Sequence, residues 1–212
     1  MRGAFITVEG VEGVGKSSSL AVLERFLRAA GKDVVLTREP GGTELGERVR
    51  EWILNGAHGT LSAEVETLLM FAARAQHLRT VIWPALERGQ WVVCDRFTDA
   101  TFAYQGGGRG AAPELLDCLK KAVQQGLEPD LTLLLDAPVD VGLARIRGRE
   151  LDHFEREQKP FFERVRAAYL RLAESDPGRI KIIDAARARE AVDKDLEDAL
   201  RRLLTEHPRH ER

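Results

Sequence analysis

Five short apolar runs punctuate the chain, and between them apolar residues recur at helical spacing. The runs at 4–8, 33–37, 90–94, 131–135 and 180–183 carry few polar alternations, the pattern of strands buried on both faces. Leu20, Leu23, Phe26 and Leu27 mark one face of a helix over 18–30, which Gly31 ends. Thr43 caps a helix to about Leu54 whose apolar face is Leu45, Val49, Trp52 and Ile53, with Asn55 and Gly56 closing it. Ser62 opens the longest helical stretch, Glu64 and Glu66 suit its first turn, and Gly89 lies past its end. Pro84 is expected to kink or divide that helix. A helix over 113–125 follows a glycine-rich loop, a short helix begins near Asp140, and a long one is capped by Asp152 with Glu155 three residues on.

Strands that alternate with helices build a parallel sheet, because parallel neighbours need crossovers. The predicted architecture is α/β, a doubly wound five-stranded parallel sheet flanked by helices. Ligands in such sheets bind beyond the carboxyl ends of the strands, so Gly10, Arg38, Asp95 and Asp136, each just past a run, are expected on one rim.

Composition narrows this further. With 212 residues and 43% hydrophobic content, residues 1–212 are expected to form one domain. A net charge of −2 and a pI near 6.3 argue against a surface that coats nucleic acid. No apolar run approaches the roughly 20 residues that span a bilayer, and the N-terminus lacks a signal-peptide pattern. A soluble, cytoplasmic chain without membrane or nucleic-acid partners is the expectation. Cys94 and Cys118 lack metal-ligand spacing and read as small packing residues, and no histidine is assigned to a metal or to acid–base catalysis.

The first chemistry-bearing stretch runs from Gly10 to Ser17 and fits Gly-x-x-x-x-Gly-Lys-[Ser/Thr] between a strand and a helix. Its backbone N–H groups and the helix N-terminus favour phosphate. Gly10, Gly13, Val14, Gly15, Lys16, Ser17 and Ser18 are the candidate ATP-binding set. Lys16 would reach the β- and γ-phosphates, and Ser17 would ligate Mg²⁺. Asp95 could meet that Mg²⁺ directly or through water, and Arg96 could grip a phosphate. Phe71 and Arg74 share a helix face, where they could hold a planar base or form a core ring beside a solvated cation. The segment 101–109 mixes hydrogen-bonding side chains with three glycines, suited to close ligand approach or to a flexible turn. Arg145, Arg147 and Arg149 flank Gly148 in a segment near 142–153 that reads as a mobile lid or a solvated basic face.

Taken with Thr37-Arg38-Glu39-Pro40-Gly41-Gly42-Thr43, Phe71-Ala72-Ala73-Arg74-Ala75-Gln76-His77, Cys94-Asp95-Arg96-Phe97 and Ala103-Tyr104-Gln105-Gly106-Gly107, the chain resembles the bacterial thymidylate kinase (dTMP kinase) family over nearly its whole length. The resemblance implies transfer of the ATP γ-phosphoryl group to dTMP, giving dTDP and ADP, with Mg²⁺ and commonly in a homodimer. By matching motif, Phe71 would stack on thymine, Arg74 and Thr101 would bond its edge, and Gln105 would lie beside it. Tyr104 would disfavour a ribose 2′-hydroxyl, Glu12 would face the acceptor sugar, and Arg38 and Arg96 would grip the acceptor phosphate, with Glu39 in the same acceptor set. Gly13 stands where some relatives carry an arginine, which directs the search for catalytic cations to Lys16, Arg96 and the lid residues Arg145, Arg147 and Arg149. The lid looks one residue short, and His153 stands where an arginine is common. The rival readings are a related nucleoside or nucleotide kinase with another acceptor and a P-loop ATP-dependent switch.

Overall fold

The computed structural model of the protein describes residues 2–55, 61–146 and 157–206. Five parallel strands, β1 (Phe5–Glu9), β2 (Val34–Arg38), β3 (Trp91–Asp95), β4 (Leu131–Asp136) and β5 (Ile180–Asp184), lie in the order β2-β3-β1-β4-β5. The central strand β1 is buried throughout, with Phe5 opposite Val92 and Ile6 opposite Leu131. Its side chains alternate between two apolar layers: Ile6 and Val8 enter the larger cluster, while Phe5 joins Leu78, Ile82, Val92 and Phe97. Burial on both faces is why the strands read as continuous apolar runs.

The larger layer is closed by α1 (Lys16–Ala29) packed on α9 (Arg189–Glu206), the latter buried along Val192, Leu196, Leu200 and Leu203. The helix α2 (Glu44–Asn55) is capped by Thr43, whose hydroxyl accepts from Gly46 N–H at 2.9 Å. Ser62 caps α3 (Ala63–His77). That helix widens into π-helical turns at Leu78–Ile82 and resumes as α4 (Trp83–Glu87) with Pro84 in its first turn, so the predicted division falls just ahead of the proline. Further elements are α5 (Thr98–Thr101), α6 (Pro113–Gln124), α7 (Val139–Ile146) and α8 (Lys159–Ser175).

Three expectations are corrected. The glycine-rich stretch is no loop: α5 continues as π-helical turns over Phe102–Gly108. A Cβ on Gly107 would lie 2.5 Å from that of Ala168, and one on Gly108 would lie 2.5 Å from the Phe161 ring, so these glycines let the wide helix press against α8. The long helix after the lid begins at Lys159, with Gln158 before it and Pro160 in its first turn, while Asp152 and Glu155 lie outside the described residues. Cys94 is buried as expected, but Cys118 is exposed on α6. No helix among the described residues is long and apolar enough to cross a membrane.

Candidate active site

The loop after β1 turns into α1 at Lys16 and leans on α7. A Cβ on Gly13, at φ 73°, would lie 2.0 Å from the Gly142 carbonyl oxygen, and one on Gly142 would lie 2.4 Å from that of Glu12. The two segments therefore meet backbone to backbone, which excludes any side chain at position 13 in this arrangement. Lys16 Nζ donates to the carbonyls of Gly10 (3.0 Å) and Val11 (2.7 Å) and lies 3.6 Å from Glu12 Oε2. Burial and the neighbouring Arg96 lower the Lys16 pKa, against the pull of Glu12.

Opposite the loop, β3 ends at Asp95 and the chain turns through Arg96 at φ 66°, a left-handed conformation that a non-glycine residue seldom adopts. The turn aims the guanidinium at Glu12: Nη2 donates to Oε1 at 2.8 Å and to Oε2 at 2.7 Å, while the guanidinium carbon sits 4.7 Å from the Tyr104 ring centroid. The Tyr104 hydroxyl also donates to Glu12 Oε1, at 2.8 Å. Burial alone would raise the Glu12 pKa, but Arg96 and Lys16 outweigh it and hold the carboxyl down at about 2. Burial pushes the Tyr104 phenol well above its ordinary value, so it stays a donor.

These groups face one cavity of about 460 Å³. Gly13, Gly15, Lys16, Ser17 and Ser18 form one wall, and Glu39, Arg96, Tyr104 and Gln105 form the other. Asp95 lines the cavity too, with Oδ1 buried and without a hydrogen-bond partner. A buried carboxylate oxygen lacking a donor, on the same cavity lining as Ser17, is a donor set that fits a hard divalent cation such as Mg²⁺ or its bound water.

Behind the second wall lies a buried polar chain. Thr37 Oγ1 and His77 Nε2 are 2.6 Å apart, His77 Nδ1 lies 2.9 Å from Glu39 Oε1, and Arg74 Nε donates to Glu39 Oε2 at 2.7 Å. Arg74 Nη2 donates to Thr101 Oγ1 at 2.9 Å, and its Nη1 is buried without a partner. Gln105, one turn beyond Thr101, donates through Nε2 to the buried Glu66 carboxylate at 3.2 Å, which fixes the amide orientation and leaves Oε1 an unpartnered acceptor.

Not every expected residue reaches the cavity. Phe71 is 1% exposed, with its ring 4.7 Å from the Arg74 guanidinium carbon, and Phe97 covers the other side at 4.9 Å. The neighbouring Met70 lines the cavity in its place. Arg38 turns outward, half exposed, to pair with Glu47 on α2 at 2.8 Å. Arg50 of α2 lines the wall instead, donating to the Pro40 carbonyl at 3.3 Å, and burial with the neighbouring Arg38 and Arg96 lowers its pKa. The signal for Arg50 was its place beside the buried Val49 and one turn before the buried Ile53, at the edge of the helix's inner face. Asp136, expected on the rim, is taken up by a two-bond pairing with Arg166 at 2.7 and 2.8 Å. Gly10 and Val14 are buried parts of the loop that do not line the cavity. Arg145 does line it and donates to the Ala185 carbonyl at 3.1 Å, whereas Arg147, Arg149 and His153 lie outside the described residues.

The thymidylate kinase family model matches residues 8–196. A thymidylate kinase of Pseudomonas putida (strain GB-1) is 58% identical over 201 residues, covering 94% of this chain and 95% of the relative. One from Methylococcus capsulatus is 56% identical, covering 97% of this chain and 98% of the relative. Among solved structures, the crystal structure of thymidylate kinase from Ehrlichia chaffeensis superposes with a TM-score of 0.76 at 33% identity, covering 95% of this chain and 99% of that one. With its phosphate loop, its Asp95-Arg96 turn and its two-walled cavity, the chain belongs to the thymidylate kinase family.

Proposed function

We propose that the protein transfers the γ-phosphoryl group of ATP to the 5′-phosphate of dTMP, giving ADP and dTDP. The observation that carries the acceptor assignment is the buried, unpartnered acceptor Gln105 Oε1 on the cavity lining, with the unpartnered donor Arg74 Nη1 buried and not lining the cavity. The ring N–H of a thymine edge satisfies Gln105 Oε1. Cytosine presents an unprotonated ring nitrogen there, opposing acceptor to acceptor.

In this reading Lys16 and the N–H groups of Gly13, Gly15, Ser17 and Ser18 hold the triphosphate, and Arg96 grips the acceptor phosphate with Arg50 beside it. Glu12 and Tyr104, joined by their hydrogen bond, face the sugar and leave little room for a 2′-hydroxyl. Mg²⁺, held by Ser17 and Asp95, would offset charge on the phosphate oxygens. The attacking group is a phosphate oxygen largely ionised at neutral pH, so no side chain is asked to remove a proton. What the protein supplies is position and positive charge around an in-line transfer. Arg145, together with Arg147 and Arg149 of the segment 142–153, is assigned the remaining charge as that segment closes over the donor.

The test compares dTMP, dUMP, dCMP and dGMP as acceptors with ATP and Mg²⁺. We expect dTMP to be preferred, dUMP to follow and dCMP to be rejected. Turnover indifferent to the added monophosphate would instead identify an ATP-dependent switch.

A further inference from the structure

We infer that Glu9, the last residue of β1, is a positioning residue that holds Arg96 in its productive conformation; the inference rests on reading Arg96 as the acceptor-phosphate grip. Glu9 is fully buried, its Oε1 accepting from the Phe97 backbone N–H at 2.7 Å and its Oε2 from the Tyr169 hydroxyl at 2.8 Å. Every other residue of β1 is apolar except Thr7, and an apolar residue would fill this strand position without the desolvation cost of a carboxyl group. Its retention has a structural correlate in the turn beside it.

Arg96 N–H still donates to the Val8 carbonyl at 3.0 Å, and the Arg96 carbonyl accepts from Cys94 Sγ at 3.0 Å. At φ 66° the chain then leaves the sheet, so the next N–H, that of Phe97, no longer has a strand partner. Left alone it would be an orphaned buried donor at the end of a strained turn, and relaxation to negative φ would satisfy it elsewhere while swinging the Arg96 side chain away from the cavity. Glu9 supplies the missing acceptor. Tyr169, on α8, fixes the other carboxyl oxygen, and its ring meets Tyr104 edge-on at 6.3 Å. Asp99, whose charge acts on Glu9, is engaged by Arg179 at 2.6 and 3.1 Å, which leaves Glu9 to the turn. The clamp thus reaches Arg96 through its own backbone, with no contact between Glu9 and substrate.

A mutant cycle on the whole chain, with steady-state kinetics in ATP and dTMP, tests this. Glu9→Gln keeps an acceptor for Phe97 N–H and can donate its amide to the Tyr169 oxygen, so kcat/KM for dTMP should stay within about threefold. Glu9→Ala should lower it about 100-fold, the scale of an ångström's misplacement, with KM for ATP unchanged. In an Arg96→Ala background the same substitution should cost less than about threefold more, because Glu9 acts through Arg96. Tyr169→Phe, a milder change that keeps the fold, should lower kcat/KM about tenfold, and that loss too should vanish in Arg96→Ala. Additive losses in either double mutant, or a Glu9→Gln variant as impaired as Glu9→Ala, would overturn the inference. Wild-type dTMP kinetics in Arg96→Ala alone would instead overturn the assignment of Arg96.

Discussion

Arg96 Nη2 donates to both oxygens of Glu12, at 2.8 and 2.7 Å, so the cation assigned to the acceptor phosphate and the acid assigned to the acceptor sugar are one bonded unit. Tyr104 stacks beneath the guanidinium and bonds the same carboxylate, which fixes the plane from which Arg96 can reach a phosphate. Lysine has neither that plane nor the fork of donors. Arg96→Lys is therefore expected to lower kcat/KM for dTMP by about 100-fold or more while the fold holds. Unaltered dTMP kinetics would remove Arg96 from the site.

Lys16 is the loop's mobile charge, bonded to two loop carbonyls and close to Glu12. Its replacement by alanine should lower kcat by about 100-fold or more with little change in thermal stability. A variant that turns over normally at saturating ATP would show that the loop works without it.

One step along α3 separates two roles. Met70 lines the cavity and packs into the larger apolar cluster, whereas Phe71 is buried against the Arg74 guanidinium and does not line the cavity. We expect Met70→Ala to raise KM for dTMP several-fold and, because the side chain is also buried in the larger apolar cluster, to destabilise the fold by about 2 kcal/mol or more. Phe71→Ala should destabilise the fold by about 3–5 kcal/mol, the usual range for a large buried ring. Calorimetry beside kinetics separates them, and a Phe71→Ala protein of normal stability with a raised KM would restore the ring to the base site.

Burial, followed by the nearby Asp99, raises the Glu9 pKa from 4.5 to about 8, against the lowering effects of Tyr169, Phe97 N–H and Arg96. The folded state therefore keeps a proton that the unfolded chain has lost over that window. The sign follows: the unfolded state binds fewer protons, so this group's contribution to stability falls as pH rises from about 4.5 to about 8. Glu9→Gln cannot ionise and should flatten that part of the stability–pH curve measured by denaturant unfolding. Parallel curves for the two proteins would show that Glu9 titrates normally.

Much of the architecture was legible because a doubly wound sheet writes itself as apolar runs between helical repeats, and the phosphate loop has a fixed spacing. The failures have physical causes. Gly106 to Gly108 carry the local mark of a loop, yet Ala168 and Phe161 require small residues there to let a wide helix dock on α8. The final helix α9 went unassigned because charged residues dominate it, although Val192, Leu196, Leu200 and Leu203 recur at three or four residues along its buried face. Of the expected site residues, Glu12, Glu39, Asp95, Tyr104 and Gln105 line the cavity, where strand ends and a glycine-bearing motif locate them. Along α3 a single step turns a side chain by roughly 100°, enough to bring Met70 and not Phe71 to the cavity lining. For Arg38 the deciding factor was Glu47, a partner nine residues on in the next helix that helical or strand spacing does not announce.

The meeting of Gly13 and Gly142 has a consequence for how this sequence can change. Each position is closed by the other's backbone neighbourhood, at 2.0 Å in one direction and 2.4 Å in the other, so the two behave as one locus. An arginine at position 13 would require residue 142 to withdraw, on the helix that carries Arg145 three residues further along. In this arrangement a side chain at position 13 and the present seat of residue 142 exclude each other, so a change at either position alone meets the other segment's backbone.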